Sequence, residues 1–195
     1  MASTLAFPST SPVGAAATGV PAETPSQEQA ALDQLRRTSG REHPHILLPI
    51  DNAARANWCL AFVLACHRAG WRGEVSLVHV VQNAPTPAVV REQRQASEEA
   101  GAEQFGRGEL RTAAAILEEA GIKVRTALRS GSVVFAILDA AEQLACDVVV
   151  VPRARQRMFG VASRGVVYRL ERSMRDVPLL TIDRDGRPSR SAGTA

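Results

Sequence analysis

Apolar residues alternate between short uninterrupted runs and longer stretches of helical spacing from residue 45 to residue 183. His45–Ile50 (HILLPI) is an apolar run ending at Asp51-Asn52, which predicts a buried strand and then a helix start capped by Asp51 or Asn52. Residues 53–69 place Trp58, Phe62, Ala65, Cys66 and Ala69 on one helical face, and Gly70 ends that helix. Glu74–Val81 is Val-rich and predicts a second strand. Residues 88–120 have helical spacing, weakened by Gly101, Gly106 and Gly108 and regular again over Leu110, Ala113, Ala114, Leu117 and Ala120. Lys123–Arg129 alternates as a third strand. Ser130-Gly131-Ser132 then turns into a helix with Val134, Ile137, Leu138, Ala141 and Leu144 inward. Val148–Val151 is a wholly apolar fourth strand stopped by Pro152. An arginine-rich loop over residues 152–166 leads to a helix with Val167, Leu170 and Met174 on one face, and Pro178–Ile182 is the fifth strand.

This β-α-β-α-β-α-β-α-β order predicts an α/β fold, an open five-stranded parallel sheet with helices on both faces. In such a sheet ligands sit beyond the carboxyl ends of the strands, so residues 152–166 are the first place to look for a site. Outside this segment the pattern fades. Residues 1–25 are mostly Ala, Ser, Thr, Pro and Gly and bury too little to offset their ordering entropy. Ser26 with Gln29 resembles a capping box, predicting a short helix over 26–38 whose apolar content (Ala31, Leu32, Leu35) is thin. The expected organisation is a disordered or partly helical extension over 1–42, one domain over 43–183, and a flexible polar tail over 184–195.

Composition adds little beyond this. At 45% apolar the 195-residue chain can bury a core, and a net charge of +3 gives no global case for nucleic acid. The 23 basic residues include a single lysine, Lys123; seven of the arginines lie between Arg153 and Arg175, where Glu171 is the only acid. Cys59, Cys66 and Cys146 form no CxxC pair, which points to reduced, buried thiols. The first basic residue is Arg36, no apolar h-region precedes it, and no apolar run approaches the roughly 18 residues of a membrane span. A cytoplasmic protein without signal peptide or membrane segment is expected.

The domain resembles the universal stress protein family. The resemblance is carried by Pro49-Ile50-Asp51 after the first strand, Leu77–Val81 (LVHVV), the turn at Gly131 with Ile137 and Ala141 behind it, Asp147–Val151, Gly165-Val166-Val167, and Val177-Pro178-Leu179-Leu180. It implies a Rossmann-like fold of the adenine nucleotide alpha hydrolase type. It also implies a nucleotide site at Pro49, Ile50, Asp51, Val80, Val151, Arg153, Arg155, Gly165, Val166 and Val167. The family's ATP-binding branch carries Gly-x2-Gly-x9-Gly-Ser/Thr after the fourth strand. Laid on this chain, those positions are Pro152, Arg155, Gly165 and Val166, so one of four survives.

The substitutions have physical consequences. Pro152 has no N–H for a phosphate. Arg155 brings a Cβ that costs about 1–2 kcal/mol in a left-handed conformation. Val166 lacks a hydroxyl whose bond to a charged group is worth about 1.5–3 kcal/mol. Together they remove roughly a hundredfold or more in affinity. Against this, Arg153, Arg155 and Arg157 sit where phosphates would lie, and guanidinium groups bind phosphate bidentately.

Other candidates have structural explanations. Asp51 could touch ribose or merely cap a helix. His79 lies mid-strand and is expected to be packed and hydrogen-bonded. His43-x-His45 has no carboxylate or thiol at metal-ligand spacing. Asp139 and Glu142 solvate a helix. Gly106-Arg107-Gly108 neither follows a strand nor opens a helix, and P-loop and nucleophile-elbow motifs are absent. No catalytic or metal-binding residue is therefore assigned.

The favoured expectation is a non-enzymatic stress-response binding or regulatory protein with weak or lost ATP binding and no other cofactor. The alternatives are an ATP sensor using Asp51, Gly165 and the arginines, and an enzyme with slow ATP hydrolysis. The resemblance further implies a homodimer through Pro178–Ile182, an apolar edge otherwise exposed. An unidentified protein partner is expected, and neither membrane nor nucleic acid.

Overall fold

The computed structural model describes residues 26–52, 56–82, 92–153, 157–158, 161–174 and 176–189. The expected disorder of residues 1–25 and much of the expected tail lie outside these residues. The predicted sheet is present. Strands β1 (Ile46–Pro49), β2 (Glu74–Val81), β3 (Lys123–Ser130), β4 (Val148–Pro152) and β7 (Leu179–Ile182) are parallel in the order β3-β2-β1-β4-β7. Two-residue strands β5 (Arg157–Met158) and β6 (Val161–Ala162) pair antiparallel inside the loop that follows β4. A last strand, β8 (Pro188–Ser189), turns back antiparallel on β7, pairing Thr181 with Ser189 and Ile182 with Pro188.

Strand alternation divides the core between the two sheet faces. Ile46, Leu48, Val75, Leu77, Val148 and Val150 join one apolar cluster, while Leu47, Val78, Val80, Val149 and Val151 join the other. Helices α1 (Gln27–Ser39), α2 (Asn57–Arg68) and α3 (Glu92–Glu119) cover the first face. Helices α4 (Val133–Gln143) and α5 (Ser163–Ser173) cover the second. Helices on both faces are what a central strand buried on both sides requires.

The short helix expected after Ser26 is present, and other local expectations change. The Ser26 hydroxyl accepts the Gln29 N–H at 3.2 Å, and Gly40 closes α1 at φ 68°, a conformation that favours glycine. The three apolar residues of α1 suffice to dock it, because Ala31, Leu32 and Leu35 are all buried in the first-face cluster. Helix α2 starts at Asn57 with Ala56 as an N-cap lacking a side-chain bond, so neither Asp51 nor Asn52 caps it. Its buried residues are Cys59, Leu60, Phe62, Val63 and Cys66, whereas Trp58 stays half-buried under the Arg184 guanidinium, 5.8 Å from the ring. Helix α3 runs unbroken for 28 residues through all three glycines.

The β7 edge is covered in part, because β8 pairs with Thr181 and Ile182. Asp183 Oδ1 accepts the N–H groups of Asp185 (3.0 Å) and Arg187 (2.9 Å), and Gly186 takes φ 70°. This tight turn delivers β8 onto β7. Leu180 and Ile182 are core residues, 3% and 0% exposed, so a charge at Leu180 would break the core rather than report on an interface.

Candidate functional site

The carboxyl ends of β1, β2 and β4 and the start of α5 converge at one end of the sheet, as the topology demands. At the end of β1, Pro49 and Ile50 are buried, and the Ile50 N–H donates to Val78 at 2.8 Å. Asp51 follows half-buried, its Oδ1 accepting the Asn52 N–H at 2.8 Å. Val80 and Val151 are buried as part of the second-face core.

The phosphate side is built differently from the glycine signature. Pro152 is the last residue of β4, and the Arg153 N–H donates to the Ile182 carbonyl at 2.7 Å. Neither residue therefore offers a backbone donor to a ligand. The Arg153 side chain is exposed. Arg155 lies outside the described residues. Gly165 sits half-buried in α5 with open space where a Cβ would go, and its carbonyl accepts Arg169 Nε at 3.2 Å. Val166 is 0% exposed, packed into the second-face cluster with Val151, and Val167 is half-buried against the same cluster. Two further arginines are engaged on α5 itself: Arg169 as above, and Arg172, whose Nη1 donates to the Tyr168 hydroxyl at 3.0 Å.

His79 is packed and hydrogen-bonded as expected, and Gly106, which the spacing reads as a weak point of its helix, packs against it. His79 is buried on β2, with Nδ1 2.8 Å from the Ile50 carbonyl oxygen. A carbonyl only accepts, so Nδ1 carries the proton. Phe105 meets the ring edge-on at 6.2 Å. Gly106 is required for this contact, since a Cβ there would lie 2.4 Å from His79 Cδ2. Burial lowers the pKa of His79, opposed by the Ile50 bond, Asp51 and Glu109. A glycine on the inward side of a helix was the available signal, and it marked close packing rather than a break.

The remaining candidates are structural. His43 Nδ1 accepts the Arg72 N–H at 3.2 Å, and His45 Nε2 lies 2.9 Å from Ser76 Oγ. Asp147 receives the His45 N–H at 2.8 Å and Arg41 Nε at 2.7 Å. All three cysteines are free and buried, and burial pushes the Cys66 and Cys146 thiols up to about 12. Such thiols are poor nucleophiles at neutral pH. Among the described residues no cluster of His, Cys, Asp or Glu could hold a metal ion, and no helix is long and apolar enough to cross a membrane.

Comparison with known proteins agrees with this architecture. A crystal structure from the universal stress protein family of Burkholderia pseudomallei is 20% identical, covering 72% of this chain and 96% of its own, with a TM-score of 0.53. The hypothetical protein MJ0577 is 20% identical over 73% of this chain and 96% of its own, with a TM-score of 0.59. A family protein from Arabidopsis thaliana, solved with AMP bound, is 13% identical over 72% of this chain and 92% of its own, with a TM-score of 0.51. At these identities the likeness is one of fold. No curated protein matches the chain. The sequence profile of the Universal stress protein family matches residues 42–169, from the approach to β1 into α5, and the chain belongs to that family.

Proposed function

We propose that this chain is a non-enzymatic binding or regulatory member of its family in which ATP affinity is weak or lost. The observation that carries this reading is the start of the loop after β4. Pro152 has no N–H, and the Arg153 N–H is committed to Ile182 at 2.7 Å. A phosphate cradle is made of backbone donors, and both are withdrawn here. The burial of Val166 supports the same reading, because the position that would carry a phosphate-binding hydroxyl faces the apolar core. Asp51 is the remaining carboxylate of the site, and its Oδ1 accepts the Asn52 N–H, which fits a turn-forming role better than that of a general base. The Arabidopsis neighbour makes an adenine nucleotide the ligand class to test.

The test is calorimetric titration of the nucleotide-stripped protein with MgATP. The expected result is no binding up to roughly millimolar ATP, against the micromolar affinity of a working site, a gap of about 4 kcal/mol. Micromolar binding would overturn the proposal and assign the phosphates to the arginine loop. Arg155→Ala and Asp51→Ala would then each weaken it.

A further inference from the structure

The two edges of the sheet are finished differently. β8 pairs with part of β7, but β3 ends the sheet on the other side, with no strand beyond it among the described residues. Lys123–Ser130 pair along their whole length with β2. The Gly131 N–H donates to Val81 at 3.0 Å, so the odd-numbered residues of β3 turn their backbone groups toward β2. Val124, Thr126, Leu128 and Ser130 therefore point their N–H and C=O groups away from the sheet. The Arg129 side chain follows the same direction, its Nη1 donating to the Leu128 carbonyl at 3.4 Å. On the first face an open groove of about 520 Å³ runs between β3 and α3. Leu110, Ala114 and Leu128 make it apolar, and Arg107, Arg111 and Glu118 carry its charge. On the second face, the side to which Ala127 points, Lys123, Arg125 and Arg129 follow one another along the strand. Arg107 pairs with Glu103 and Arg125 with Glu74, whereas Arg111 and Lys123 have no ion-pair partner among the described residues.

We infer that the β3 edge binds an extended acidic peptide, which adds to the sheet as a further strand. The outward backbone groups of Val124, Thr126, Leu128 and Ser130 supply the ladder. Alternate side chains of the peptide fall on the two faces of the sheet. Apolar ones enter the groove between α3 and β3, and carboxylates meet Lys123, Arg125 and Arg129. Lysine and arginine on an edge strand deter pairing with other strands. They do so through their charge, and a strand of opposite charge is the partner for which that barrier becomes an attraction. The barrier holds against a second copy, whose β3 brings the same three cations. The peptide displaces the Arg129 bond to Leu128, which at 3.4 Å is a weak one, while Arg129 Nη2 keeps the Gln143 side chain at 3.0 Å. The inference holds whether or not ATP binds, because β3 lies three strands away from β4 in the sheet.

Fluorescence anisotropy tests this, with a labelled octapeptide of glutamate–leucine repeats titrated with the full chain. The expected Kd is roughly 10–100 µM at low salt, and it should rise as added salt screens the charges. The lysine–leucine counterpart should bind roughly tenfold more weakly or not at all. Combining Arg111→Glu with Lys123→Glu should weaken the acidic peptide roughly tenfold. Both side chains are exposed, so an unchanged circular dichroism spectrum is expected. Hydrogen exchange followed by NMR on the wild type needs no variant. The peptide should slow exchange at Val124, Thr126, Leu128 and Ser130, and leave Arg125, Ala127 and Arg129, already turned to β2, unchanged. No binding at roughly 500 µM protein overturns the inference. So does equal binding of the lysine peptide or of a single-stranded oligonucleotide of the same charge, and so does binding that protects none of those outward amides.

Discussion

The two faces of the sheet are built from equally apolar strands but are finished differently. On the first face three helices close over the strands, and Phe62, Trp71, Leu32 and Leu35 are all fully buried. Even the Trp71 indole is satisfied, its Nε1 donating to Pro44 at 3.2 Å. On the second face two shorter helices bury small aliphatic residues beneath them, yet leave Phe135 and Tyr168 in solvent. The first face therefore buries the larger side chains, and removing one of them should cost more than trimming the exposed Phe135. The first face also leaves apolar groups in solvent, since Phe105 is 54% and Ile116 36% exposed on α3.

The sharpest way to break this comparison is a pair of truncations. Leu35→Ala, on a helix that precedes the family-matched segment, removes a side chain that is 0% exposed and should cost about 2–5 kcal/mol. Phe135→Ala should leave monomer stability within about 0.5 kcal/mol. Urea unfolding of both variants at low protein concentration decides the matter. Equal losses would mean that α1 contributes nothing to the first face or that Phe135 is part of the core of the second.

A smaller effect concerns the contact between α3 and β2. Gly106→Ala would gain about 1 kcal/mol of helix propensity. It also forces a methyl against the His79 ring, an overpacking cost of about 1–3 kcal/mol. With the added Cβ only 2.4 Å from Cδ2, repulsion should win and the variant should be the less stable. A rise in melting temperature would show that the ring moves aside freely.

The smallest effect is on pH. Each face carries one histidine with a lowered pKa, His79 on the first and His45 on the second, and burial is the leading cause for both. A histidine kept neutral by folding binds fewer protons than the unfolded chain does. Stability is therefore complete above about pH 6.5 and is lost as pH falls from there through the folded-state value. Thermal melts between pH 7.5 and pH 5, run on the wild type, His79→Gln and His45→Gln, should show each variant with a flatter profile than the parent. A profile unchanged by both substitutions would place the acid sensitivity elsewhere.

The parallel sheet was legible because a strand buried on both faces needs a mostly apolar run, and Leu47–Ile50 and Val148–Val151 are such runs, while Val75–Val81 is interrupted only by Ser76 and His79. Their alternation with amphipathic helices implied a parallel sheet covered on both faces, and such a sheet points to the carboxyl ends of its strands as the site; the strand order came only with the structure. Loss of three of the four signature positions was equally readable, since a proline has no N–H in any fold. What chemistry remains at that site was not readable. Whether Val166 faces a ligand or the core depends on the rotational phase of α5, and the fate of the Arg153 N–H depends on a β7 carbonyl 29 residues away in the chain.

Strands β5, β6 and β8 escaped because two residues carry no periodicity; only a partner across the turn defines them. Gly106 looked like a flaw because its neighbour, His79, is distant in sequence and close in space. The sequence by itself determined which segments become the five parallel strands and the five helices, chiefly through hydrophobic period. The tertiary structure alone decided which donors stay free, which edge is covered and which aromatic residues stay in solvent, because each of these depends on residues far apart in the chain.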